Sequence, residues 1–466
     1  FLHECLDSLH GVYRSVAGAG MTFAHGDPVT VLRRFRDRGW DVVAMRGVTG
    51  RYGRERDARA AAEADVTFVG GDGIVRNAER TRADWSDAFE RYVTADPHDW
   101  DPDAVGVERA ATGLTPDRVA DAYGVTPTKA KVPTGGLPAA RRRLEGFVEE
   151  IGSYPGNVSS PKDAREGCSG LSPYIRFGCL SVRQAFRYVD ANAPDGNGKR
   201  MFLSRLAWNR HYNQKLADWP GWVDEAVNPA LRGFNADRHD PDLVAAWKEG
   251  RTGYPMVDAS MRCLRGTGWL NFRMRAMCAS FFHHVLQQPW QVGADWYHYH
   301  LIDSDAGINY TQWQSQAGLV GKPTVRLYNP RKQVRDQDPD GEWITEWVPE
   351  LAPLPATHLD APEKTPLHVQ DECGVRIGED YPYPVVEYEA RRERFHDRYG
   401  TVKAAAADRL ADPEVARRAS LSGGRDAAEA IAERHGRGSG DAGGDRDVSD
   451  APSETQHTLS AFDDEE

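Results

Sequence analysis

Between about residues 168 and 399 the chain is helical in periodicity and rich in tryptophan, interrupted only by short Gly/Pro breaks. Such a stretch can bury its indole rings only between packed helices, so it predicts an all-α domain. The first hundred residues read differently. MTFAHGD (21–27), DVVAMRG (41–47) and DVTFVGG (65–71) are short apolar runs. PVTVLRRFRDRG (28–39) and RERDARAAAEA (54–64) lie between them with helical spacing. Strands of this kind separated by helices predict a parallel α/β sheet. The chain opens FLHECLDSLHG, without Met, in what reads as the middle of an amphipathic helix. The expectation is therefore an N-terminally truncated sheet.

The predicted organisation is an α/β domain over 1–95 and a Pro-, Gly- and Asp-rich linker over 96–165 with a helix near 136–150. A helical domain follows over 166–400, then an Ala/Arg/Glu-rich helix over 401–435 and a disordered acidic tail over 436–466. With 466 residues and 40% hydrophobic content the chain can bury a sizeable core. It has no run of about 18 apolar residues and no secretory signal, which predicts a cytoplasmic protein without a membrane partner. Six scattered cysteines, with no C-x-x-C pair, read as reduced thiols rather than metal or cluster ligands. His211, His283 and His284 lack carboxylates at ligand spacing and read as structural, so no metal site is expected.

The formal net charge of −12 is an awkward sign for a nucleic-acid partner. Nine Asp and Glu after residue 435 stand against Arg437 and Arg446, however, so the tail carries more than half of it. The body is rich in Asp and Arg and poor in Lys, a composition compatible with a salt-adapted source.

Four blocks carry a resemblance: CSGLSPYIRFGCLSVRQAF (168–186), AAWKEGRTGYPMVDASMRCLRGTGWLNFRMRAM (245–277), LIDSDAGINYTQWQ (301–314) and RLYNPRKQVRDQDPDGEWITEWVPEL (326–351). In order and spacing they resemble the flavin domain of photolyases and cryptochromes, strongly over roughly 150–395 and weakly over the α/β part. The resemblance implies FAD as cofactor and a Rossmann-like antenna domain. That domain would carry a second chromophore of folate or deazaflavin type, its identity left open. Cys168, Ser169, Gly170, Leu171 and Ser172, small residues and hydroxyls before a helical run, then become the pyrophosphate site, with Tyr154 a ring near the cofactor. Arg275 is expected to pair with Asp303 beside the flavin, Asp305 to hold its ring and Asn309 to face N5. Asn309 and Trp313, four apart, share a helix face. Trp247, Trp290 and Trp313 match the family's electron relay from surface to flavin.

On the substrate side, Trp208 matches the tryptophan that stacks on a flipped pyrimidine dimer. Arg205 and Phe272 stand where dimer photolyases carry Glu and Asn, and Phe272 and Ala276 stand where (6–4) photolyases carry histidines. Arg273 completes the expected substrate-binding set. Arg141, Arg142, Arg143, Arg331, Lys332 and Arg335 are candidate phosphate contacts. The function implied is a monomeric, light-driven photolyase acting on UV-damaged DNA. The rival is a cryptochrome-like photoreceptor without repair. A flavin oxidoreductase fits less well, because there is no G-x-G-x-x-G fingerprint for a nicotinamide.

Overall fold

The structure, a computed structural model, describes residues 1–18, 20–76, 82–96, 101 and 112–438. The chain divides into two compact units: Phe1–Gly152 with Ser169–Ala217, and Ser153–Cys168 with Asp218–Glu466. The unit boundaries cut the chain elsewhere than composition does. Residues 169–217 are helical like the second half, yet they cluster with the first 152.

In the first unit, strands β1 (Val43–Met45) and β2 (Thr67–Val69) pair in parallel, Val43 opposite Thr67 and Met45 opposite Val69. The helix Arg51–Ala64 joins them. The helix Pro28–Arg36 starts at Asp27, whose carboxylate accepts from the Thr30 N–H at 2.9 Å. Val29, Ala60, Ala64 and Val66 form the small core beneath the strands. The expected strand at 21–27 does not form. Its polar groups are engaged elsewhere: the Phe23 carbonyl accepts from the Thr112 hydroxyl, and the Phe23 ring stacks on His10. Val43 and Met45 are exposed, so the sheet is smaller than the apolar runs imply.

The expected helix near 136–150 is present as Leu137–Glu149. Further on, the helix Val182–Asn192 opens with a reciprocal cap between Ser181 and Gln184. The long helix Asn197–Asp218 is tied to the N-terminal half by Gln214, whose amide donates to the Val75 carbonyl and accepts from its N–H, each at 2.8 Å.

The second unit is helical, and its core is aromatic: Trp247, Trp313, Trp343, Tyr254, Phe281, Phe282 and Phe395 lie in one cluster. The helix Pro255–Thr267 is anchored by Asp258, which is fully buried. Its carboxylate accepts from Thr252 N (2.7 Å), Thr252 Oγ1 (2.6 Å), Gly253 N (3.0 Å) and Tyr381 Oη (2.5 Å). Burial pushes the Asp258 carboxyl above its ordinary range, and the Thr252 and Tyr381 donors pull against that. The single helix expected over 401–435 is instead the end of Tyr388–Leu410 followed by Pro413–Ala419 and Gly424–His435. Pro413 and the left-handed Gly423 and Gly424 break it. The expected disordered tail lies, from residue 439 on, outside the described residues. Among the described residues, no helix is long and apolar enough to cross a membrane, and no cluster of His, Cys, Asp or Glu is placed to hold a metal.

A five-residue π turn, Phe281–Val285, buries His283 and His284. His283 Nδ1 donates to the Gln288 carbonyl at 2.9 Å. Burial holds His283 down at about 4, against an ordinary 6.5, and holds His284 well below its ordinary value. The unfolded chain therefore takes up protons that the folded chain does not. The contribution of the neutral His283 is complete above pH 6.5 and is lost as pH falls toward about 4. The loss is about 3 kcal/mol for His283 alone. Replacing His283→Gln keeps a donor for Gln288 but cannot titrate. It is expected to flatten the fall of Tm over that window, and an unchanged slope would refute the assignment.

Candidate flavin and substrate site

The helix Phe272–Ser280 carries Arg275, a cation held by backbone and side chain together. Asn271 caps it, accepting from Met274 N, and its amide also donates to the carbonyls of Val158 and Ser159 at 3.3 and 3.0 Å. One turn in, Arg275 is locked from two sides. Its Nε donates to the Leu270 carbonyl at 2.7 Å, and its Nη2 reaches both oxygens of Asp303 at 3.2 and 3.1 Å. The Asp303 side chain is only 6% exposed, whereas Arg275 keeps 25%. The expected pairing of these two is thus formed, and the cation keeps an open face.

Asp305 caps the helix Ala306–Gln316, its carboxylate accepting from Ile308 N at 3.1 Å. On that helix Asn309 and Trp313 are both buried, on the shared face that their spacing predicts. The Asn309 amide donates to the Ala294 carbonyl at 2.9 Å. The Trp313 ring meets Tyr297 at 5.1 Å, Phe282 at 6.0 Å and Trp247 at 6.1 Å between centroids. Trp247 lies nearly parallel to Tyr297 at 5.8 Å, and its indole N–H donates to the Cys278 carbonyl. Gly293 makes this packing possible, because a Cβ there would lie 2.3 Å from the Trp313 ring.

Trp290 is placed apart from that cluster's ring contacts, meeting Tyr310 edge-on at 6.3 Å. Trp247, Trp313 and Trp290 are 0%, 2% and 3% exposed. The surface end of the expected relay is therefore none of the three. Tyr297, which bridges Trp247 and Trp313, is not among the residues that sequence motifs point to. Its seven-residue spacing from Trp290 on one helix is the signal that was available.

Tyr154 is buried in the short helix Tyr154–Asn157 of the same unit. Phe272 is exposed, and Arg273 Nη2 donates to Ser159 Oγ at 2.9 Å. Burial pulls the Arg273 guanidinium below its ordinary range. Two buried donors here, Arg273 Nε and Trp313 Nε1, have no acceptor. A locked cation with an open face, a buried amide and orphaned donors beside stacked rings suit a conjugated, anionic group such as a flavin.

The CSGLS segment straddles the division between units: Cys168 belongs to the second, Ser169–Ser172 to the first. In the first unit, Arg143 Nε donates to the Ser169 carbonyl at 2.8 Å. Gly170 takes φ +60, and a Cβ there would sit 3.0 Å from Arg143 Nε. The helix that follows, Ser172–Arg176, is barely one turn, shorter than the helical run expected there. On the helix Asn197–Asp218, Arg205 and Trp208 lie one turn apart, and the guanidinium sits 4.5 Å over the indole ring. Ala276 is buried, which leaves it no role on a surface.

Residues 202–401 match the family described as the FAD binding domain of DNA photolyase. A deoxyribodipyrimidine photo-lyase of Halobacterium salinarum is 30% identical, over 84% of this chain and 85% of its own length. Cryptochrome-2 of Arabidopsis thaliana is 34% identical over 55% of this chain and 44% of its own. A class III photolyase of Agrobacterium tumefaciens shares the fold, with a TM-score of 0.69 at 24% identity, over 86% of this chain and 88% of its own. FAD is accordingly the cofactor of the helical domain, and the chain belongs to the photolyase/cryptochrome family.

Proposed function

We propose that this protein is a light-driven DNA photolyase that splits UV-induced pyrimidine dimers. The observation that carries the reading is the Arg275–Asp303 pair, a fixed positive charge with one face free, set in the same unit as a buried aromatic cluster. When bound, FAD supplies blue-light absorption and single-electron chemistry. Arg275 would stabilise negative charge at the cofactor, and Asp303 keeps the guanidinium from turning away. Asn309 would present its amide beside the ring. Trp247, Tyr297 and Trp313 are oxidisable rings in mutual contact, sealed from water. Ser169, Gly170, Leu171 and Ser172, with Cys168 before them, would meet the pyrophosphate, and Tyr154 would be a ring near the cofactor.

Repair is supported by the relative matched over most of both chains, a photo-lyase by name, and by Trp208, a half-buried ring suited to stack on a base. The parallel pair β1–β2 supports reading residues 1–95 as an antenna domain with a folate- or deazaflavin-type chromophore.

Two observations favour a cryptochrome-like photoreceptor instead. Arg205 lies over the Trp208 face that a base would use, and Phe272 offers an exposed apolar ring where a base edge needs hydrogen bonds. A cation on that face is not a clash with DNA, since a guanidinium can swing to a phosphate. We therefore rank repair first.

The direct test is an oligonucleotide carrying one thymine dimer, mixed with reduced FAD-loaded protein in high salt, in blue light and in darkness. Light-dependent dimer loss is expected, and loss in neither condition would leave the photoreceptor reading. Arg205→Glu with Phe272→Asn is expected to tighten dimer binding about thirtyfold, since each of the two hydrogen bonds gained contributes roughly 1 kcal/mol. Arg275→Gln leaves Asp303 buried without its cation, at a cost of about 3 kcal/mol or more. It is expected to lower FAD occupancy, read from the flavin-to-protein absorbance ratio. Full occupancy would separate Arg275 from the cofactor.

A further inference from the structure

Within the second unit, an open pocket of about 370 Å³ is lined by residues that the proposed photochemistry does not use, among them Arg238, His239, Asp240, Gln287, Gln288 and Arg391. Its wall is built with unusual backbone. Gln287 is 1% exposed and has φ +57, in the left-handed region that side chains other than Asn and Asp seldom adopt. The side-chain oxygen of Gln287 accepts from Arg238 Nη1 at 3.4 Å. Its amide nitrogen, buried, has no acceptor, and neither has the buried Nε of Arg238. A buried donor left unmatched is costly, so two on one pocket call for an acceptor from outside the chain.

The acceptors already present are largely committed. Asp240 caps the helix Pro241–Glu249, accepting from Asp242 N and Leu243 N at 3.0 and 3.2 Å. The Gln288 oxygen accepts from Asp240 N, and its amide donates to the Leu286 carbonyl, each at 2.8 Å. Asp237 is exposed at the rim. Positive charge, by contrast, is crowded. Arg391 is held below its ordinary range by burial and then by Arg394 and Arg238, with Asp240 opposing, and Arg398 by burial and then by Arg238, with Asp237 opposing. Arg398 itself donates to Asn235 Oδ1 at 2.6 Å. Unmatched donors among crowded guanidinium groups favour a ligand with several oxygens and negative charge.

We infer that this pocket binds a phosphate-class oxyanion, held by Arg238, Arg391 and the Gln287 amide. The same chemistry is offered by free phosphate and by the diester of a nucleic-acid strand, and the experiment separates them. The inference does not depend on whether the protein repairs DNA.

The test is calorimetric titration of the full FAD-loaded chain with inorganic phosphate, against chloride at matched ionic strength, and with a short oligothymidylate. Saturable, one-site phosphate binding is expected. Arg391→Gln and Gln287→Asn should each weaken it about tenfold or more. Asn tolerates the left-handed backbone, so the second variant withdraws the amide by one methylene without unfolding the turn. Tm in chloride should stay as in the parent. Binding of the oligonucleotide but not of phosphate, lost in the same two variants, would support the pocket with a diester as its ligand. No heat with either probe, or affinities unchanged in both variants, would overturn the inference and leave water as the partner of the two donors.

Discussion

The second unit depends on a carboxylate that has left water. Asp258 has no exposed surface and satisfies its oxygens with two backbone N–H groups, a threonine hydroxyl and a tyrosine hydroxyl. These bonds set the turn 250–254, from which the helix carrying Trp247 departs on one side and Pro255–Thr267 on the other. Gly253 lets the turn approach the backbone of Tyr383 and Pro384, which a Cβ there would meet at 2.5 Å. Removing the carboxylate would strand these donors in a dry interior, at a cost of several kcal/mol. The aromatic cluster and the helix bearing Arg275 are packed from this fixed point.

From that frame the charges follow one logic. Arg275 is secured by a backbone carbonyl and a buried carboxylate, so it offers charge without conformational freedom. Such preorganisation makes a cation effective toward a developing anion, because no reorganisation is needed when charge arrives. Arg205 is the opposite case. Its guanidinium rests on a half-buried ring by a contact of modest strength, and it can be displaced. The chain thus carries one guanidinium fixed by its partners, Arg275, and one held only by a ring contact, Arg205.

Much of this was legible in the sequence because it is local or carried by extended motifs. The Arg275–Asp303 pairing, the shared face of Asn309 and Trp313, and the helix Leu137–Glu149 follow from spacing and from the blocks around them. What was not legible depends on partners distant in the chain. The 21–27 run is apolar enough for a strand, but its carbonyl at Phe23 is claimed by Thr112. Tyr297 gains its place between two tryptophans only when three helices meet. Gln287 gives no sign of its left-handed backbone or its orphaned amide, which arise from a turn packed against residues some fifty positions earlier.

If the buried ring cluster serves light-driven chemistry at the flavin rather than packing alone, replacing Trp313 must slow that chemistry. The measurement is the rate of blue-light reduction of bound FAD, followed by absorbance in the presence of an external reductant, for the parent protein and Trp313→Phe. Phenylalanine keeps an aromatic ring in the cluster but is far harder to oxidise. With FAD occupancy retained, a photochemical role predicts that photoreduction falls by at least about tenfold in the variant. Photoreduction at the parent rate would contradict it and return Trp313 to the role of a core residue.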